Sequence, residues 1–143
     1  MENIPVEFWD GVEQFNQQQF YACHDTLEAI WIQADSGEKN FYQGILQVAV
    51  ALYHLSNQNL RGAVILMGEG IHRLRSFQPA YADLDIENFL EDTVALLKYL
   101  QQTNPQEVDK VIRQLGLSQE RLTPSYSESS VGIHLPILRR MAN

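Results

Sequence analysis

Phe41-Tyr42-Gln43-Gly44-Ile45-Leu46-Gln47-Val48-Ala49-Val50-Ala51-Leu52-Tyr53-His54-Leu55 carries apolar side chains on nearly every side and is interrupted only by Gln43, Gln47 and His54. A helix of that composition has no face to give to water, so other helices must enclose it. The run falls short of the roughly 20 apolar residues needed to cross a bilayer. It reads as the central helix of a soluble all-α protein. Asp35-Ser36-Gly37 marks the turn before it, and two helices precede that turn: one carries Val6, Trp9, Val12 and Phe15, the other runs from Phe20 through Leu27 to Trp31. Asn57-Gln58-Asn59 supplies capping side chains for a fourth helix from Leu60 to about Phe77, closed by Gln78-Pro79. Asp85 caps a fifth with Ile86, Phe89, Leu90, Leu97 and Leu100, and Asn104-Pro105 opens a short sixth that stops at Gly116.

The expected fold is therefore a compact bundle of about six helices arranged as antiparallel hairpins, with the second and third as the central pair. The helical domain is expected over 1–116 and an irregular C-terminal tail over 117–143. In that tail Thr123-Pro124 and the serine-rich Ser125–Ser130 break the helical period. Ile133, Leu135, Ile137 and Leu138 then form an apolar cluster that either packs back on the domain or meets a partner.

Composition narrows the class of function. The 143 residues are 45% hydrophobic and 20% charged, too apolar for disorder to dominate. A net charge of -8 opposes a broad phosphate-contacting surface, so nucleic acid is not the expected partner, and neither is a membrane. Arg73, Arg75, Arg139 and Arg140 are few and scattered, and read as surface charges. The single cysteine, Cys23, excludes an intrachain disulfide. Met1 through Glu7 lacks the basic start and apolar run of a secretory signal, so the expected location is cytoplasmic.

Polar residues on apolar faces are the informative anomaly. Phe20, Leu27 and Trp31 share one side of the second helix with His24 and Glu28, which places an imidazole and a carboxylate on the face expected to be buried. Gln43, Gln47 and His54 form a comparable stripe on the third helix. With equal rise along an antiparallel pair, Glu28 lies level with Gln47, and His24 lies about 6 Å along the axis from His54. A linked buried cluster of His24, Glu28, Gln47 and His54 is the expectation.

These helices also carry a resemblance. A His24-x-x-x-Glu28-x-x-Trp31 helix, a following Gln43-Gly44-x-x-Gln47-x-Ala49 helix that reaches His54, and a Gly62-Ala63 pair resemble the domain-of-unknown-function family 309 over roughly Val6 to Phe77. The resemblance implies an all-helical fold, draws attention to His24, Glu28, Trp31, Gln43, Gln47 and His54, and implies no activity.

Three chemistries suit that residue set. His24, Glu28 and His54 could ligate a divalent metal, with waters in the open positions. The cluster could instead be a satisfied hydrogen-bond network that fixes helix register. In the third, Glu28 orients His24 as a general base or as part of a ligand site. Glu69-Gly70-Ile71-His72 has the Glu-x-x-His spacing of two-metal bundles, but no second copy exists, and Gly68 and Gly70 read as close-contact positions. Cys23 reads as a buried structural thiol, because neighbouring helical residues point about 100° apart and so do not pair it with His24. Trp9, Trp31, Tyr21, Tyr42 and Tyr53 read as core first and pocket lining second. The function expected is a helical binding or interaction module for a protein or small-molecule partner, with a symmetric homodimer compatible with an incompletely covered apolar helix. The alternative is a metal-dependent or general acid/base enzyme, a hydrolase, centred on His24, Glu28 and His54.

Overall fold

The computed structural model describes residues 4–117 and 133–141. Among them the helices are α1 (Val6–Asn16), α2 (Phe20–Gln33), α3 (Ser36–Ser56), α4 (Leu60–Leu74), α5 (Ile86–Gln101) and α6 (Val108–Gln114), with 3₁₀ turns at Arg75–Phe77 and Pro105–Glu107. The all-α expectation holds, and none of these helices is long and apolar enough to cross a membrane.

Local chemistry accounts for most of the boundaries. Asn59 Oδ1 accepts from Gly62 N at 2.9 Å, Asp85 Oδ1 from Asn88 N at 3.0 Å, and Asn104 Oδ1 from Gln106 N at 2.9 Å. Each satisfies an N–H that the first turn leaves without an intrahelical partner. The last turn after α6 closes on Gly116 at φ 69, a left-handed position that suits a residue without Cβ. Helix α3 starts a turn earlier than its apolar run, because Asp35 O accepts from both Glu38 N and Lys39 N and draws Ser36 and Gly37 into the helix.

Burial confirms α3 as the central element: Phe41, Tyr42, Ile45, Val48, Ala49, Ala51, Leu52 and Leu55 are all buried. Its closest neighbour is α4, and two glycines set the approach. A Cβ on Gly70 would stand 2.8 Å from the carbonyl oxygen of Gly44 and 2.7 Å from Val48 Cγ2, and one on Gly44 would meet Leu74 Cγ at 2.7 Å. Gly68 plays no such part, since a Cβ there would meet only Leu97 Cδ2 at 4.0 Å. On the other side, Gly11 of α1 faces Leu27 of α2, and Thr26 Oγ1 donates to Gln14 Oε1 at 2.8 Å. Phe15 ties α1 to the rest through edge contacts with Phe20 and with Phe89 of α5.

One element lay outside the sequence reading. Ala80–Tyr81 (β1) and Leu84–Asp85 (β2) form a two-residue antiparallel ribbon through Ala82 and Asp83, both at positive φ. Turns of this kind normally carry Gly or Asn, so Ala82 gave no signal. The C-terminal apolar cluster packs back: Ile133 and Leu138 are buried, and residues 133–141 run extended beside β2 and the end of α1. The breaks expected at Thr123-Pro124 and Ser125–Ser130 lie outside the described residues.

The glycine contact predicts that Gly70→Ala lowers stability by about 1–3 kcal/mol in a denaturant or thermal melt, because backbone rather than a flexible side chain must yield. Gly68→Ala should instead be neutral or stabilising by up to about 1 kcal/mol through helix propensity. Equal effects at the two positions would contradict the close crossing.

Candidate functional site

On α2 the buried residues are Phe20, Cys23 and Leu27. Successive helical residues rotate by about 100°, so Glu28 lies a full step past Leu27 and is exposed. His24 is half-buried, and its Nδ1 is 3.2 Å from Asp25 Oδ1, a contact made within α2 itself. The expected interior link from Glu28 to Gln47 is therefore corrected: Gln47 is buried, but its partners are on α4. Gln47 Nε2 donates to Glu69 Oε1 and Arg73 Nε donates to Gln47 Oε1, both at 3.1 Å. Arg73 Nη1 also reaches Asn40 Oδ1, so this guanidinium clasps two turns of α3 and is not the free surface charge expected. The cause is the glycine crossing, which turns the Asn40, Gly44 and Gln47 side of α3 toward α4. Gln43 is half-buried outside that clasp. His54 is also half-buried, its Nδ1 3.4 Å from Asn59 Nδ2 at the α3–α4 turn.

The α2 residues of the motif instead build a surface. His24, Asp25 and Glu28 present ligand atoms that all lie within 4.8 Å of one another, and His54 is not part of that group. Tyr21 stacks near His24 with centroids 6.0 Å apart and meets Tyr53 at 5.5 Å, and Tyr53 in turn borders His54 at 6.5 Å. Trp31 packs half-buried beside the core, with Lys39 Nζ 4.5 Å from its ring centroid and donating to its carbonyl oxygen at 3.1 Å. Its indole Nε1 is buried without a hydrogen-bond partner. Cys23 is buried, and desolvation pushes its thiol up to about 12. A thiol so held is not a nucleophile at neutral pH. Its inertness agrees with the structural role expected for it.

The opposite flank of α2 holds a feature the sequence reading missed. Thr26, Ala29, Ile30 and Gln33 form one wall of an open cleft of about 800 Å³ whose facing wall is α1 and whose end is the start of α3. Five carboxylates line it, Glu7, Asp10 and Glu13 from α1 and Asp35 and Glu38 from the α3 end, and no Lys or Arg does. Glu13 Oε2 accepts from Gln17 Nε2 at 3.1 Å, but none of the five forms an ion pair among the described residues. The signal was present in part: Glu7, Asp10, Glu13 and Gln14 fall on one arc of α1, opposite Phe8, Val12 and Phe15. The other wall required the tertiary fold.

Comparison with known proteins falls on these same helices. The family model described as Domain of unknown function (DUF309) matches residues 8–66, from α1 into α4. That agrees with the resemblance carried by the His24 to Trp31 and Gln43 to His54 helices. The chain is also 33% identical over 86 residues to a protein of Bacillus subtilis (strain 168) titled "Uncharacterized protein YpuF", across 59% of this chain and 49% of that protein. It thus spans about half the length of the curated relative it matches. No solved structure matches.

Proposed function

We propose that the chain is a helical interaction module whose α1–α2 cleft receives a cationic segment of a partner protein. The observation that carries this reading is the charge of the cleft: five carboxylates and no Lys or Arg around one concave space. Like charges held together on a folded scaffold raise the local potential, and a concave wall of low dielectric focuses it toward an incoming cation. The cleft also has what a peptide needs besides charge. Gln14, Gln17 and Gln33 offer amide donors and acceptors to a backbone, while Ala29 and Ile30 offer apolar surface to the aliphatic stems of Lys or Arg. The net charge of -8 adds a long-range attraction that steers such a partner and weakens with salt. A cytoplasmic setting suits the module, since its only thiol is buried and unpaired.

A second reading, a divalent-cation site, rests on the spacing of His24, Asp25 and Glu28. One imidazole and two carboxylates on a single exposed turn fit three positions of an ion such as zinc or manganese and leave the others to water. An ion there would act as a Lewis acid toward a bound water or carbonyl.

The first reading predicts saturable binding of a fluorescently labelled Lys/Arg-rich peptide and none of a Glu-rich peptide of equal length. The triple variant Glu7→Gln, Asp10→Asn, Glu13→Gln should weaken that binding by about tenfold or more, and raising salt from about 50 mM to about 500 mM should weaken it further. An affinity indifferent to both changes would refute the cleft. For the second reading, titration calorimetry with zinc or manganese should give one site per chain that Glu28→Gln and His24→Ala each abolish; heat unchanged by either substitution would place the ion elsewhere.

A further inference from the structure

The segment Ile133–Met141 is held in the manner of a bound peptide. Four hydrogen bonds among the described residues join its main chain to the body of the protein. Asn16 Nδ2 donates to Leu138 O and Asn16 Oδ1 accepts from Leu138 N, both at 2.9 Å. Asp85 N donates to Arg139 O at 3.0 Å, and Met141 N donates to Asp83 O at 2.8 Å. These contacts read an extended backbone and are indifferent to side-chain identity. Selectivity comes from alternate positions. Leu138 is buried to 2% exposure, while Arg139 and Arg140 are both exposed, Arg140 laying its guanidinium over the Trp9 ring 4.0 Å from the centroid. Farther back, Ile133 is buried and His134 Nε2 lies 3.6 Å from Asp92 Oδ1. Main-chain hydrogen bonds for affinity, with a Leu138 pocket and the Trp9 face for choice of sequence, are features shared with strand addition to an exposed sheet edge.

We infer that the groove between the end of α1, β2 and Trp9 is a peptide-acceptor site, occupied here in cis by the chain's own C-terminal segment. The partner it fits is an extended protein segment with Leu followed two residues later by Arg, which enters when the cis segment leaves. Release disrupts no helix, because none of the four hydrogen bonds lies within one. What departure uncovers is complete: the paired donor and acceptor of the Asn16 amide, the unpaired N–H of Asp85 and carbonyl of Asp83, the pocket of Leu138 and the face of Trp9. The inference is independent of the acidic cleft between α1 and α2.

The cis segment competes at an effective concentration of order mM, which masks the site in the wild-type chain. In the full-length chain, Leu138→Asp weakens that competitor without altering the groove. A labelled peptide of residues 133–141 should then bind the Leu138→Asp chain about tenfold or more tightly than the wild type, and adding Asn16→Ala should remove the gain. A Leu138→Asp chain that keeps its helical circular dichroism and captures no peptide, or capture unaffected by Asn16→Ala, would overturn the inference. Should that variant lose helicity, amide exchange on the wild-type chain decides. Leu138, Met141 and Asp85 are expected to exchange about tenfold or more faster than buried amides of α3, as a locally opening unit. Exchange of both groups at one common rate would overturn it.

Discussion

The approach of α3 to α4 at Gly44 and Gly70 is the constraint on which the other arrangements depend. With a carbonyl oxygen of α3 only 2.8 Å from where a Cβ on Gly70 would lie, the rotation of α3 about its axis is fixed by backbone rather than by adaptable side chains. That rotation carries Gln47 toward α4, where Glu69 and Arg73 satisfy both ends of its amide, and Arg73 continues to Asn40. A buried amide with no partner would be a liability of about 1–3 kcal/mol. Here it is a clasp that reinforces the crossing. Because that clasp is complete within α3 and α4, Gln47 needs no partner on α2, and His24 and Glu28 lie outside it.

Helix α2 then separates two surfaces of different character. Toward α3 it shows Tyr21, His24, Asp25 and Glu28, beside Tyr53 and His54. Toward α1 it walls the acidic cleft, which the Thr26–Gln14 hydrogen bond and the Gly11–Leu27 contact keep at a fixed width. The residues that carry the family resemblance serve different ends: Gln47 holds the bundle together, while His24 and Glu28 dress its surface. A motif read along the chain joins groups that the fold assigns to separate tasks.

What was legible in the sequence follows from the range of the forces involved. Helix ends set by Asn59, Asp85, Asn104 and Gly116 depend on atoms two or three residues away, and each was placed from its own neighbourhood. The enclosed character of α3 was visible in a run with no polar face. Glu28 was misplaced because a 3–4 spacing defines an arc without saying which edge of it the core covers; packing placed the core on Cys23 and Leu27. Gln47 was paired with the wrong helix because equal rise sets the level of a residue along a hairpin and not the direction it faces. The Ala82–Asp83 turn carries no Gly or Asn to announce it. Asn16 and Leu138 meet across most of the chain, a contact no local pattern could reveal.

A double-mutant cycle between Gln47→Ala and Arg73→Ala, read by denaturant unfolding, examines the clasp most directly. The account predicts a coupling energy of about 1 kcal/mol for this pair and none for the corresponding cycle between Gln47 and Glu28. Coupling between Gln47 and Glu28, with Gln47 and Arg73 simply additive, would contradict it and return the carboxylate of α2 to the interior.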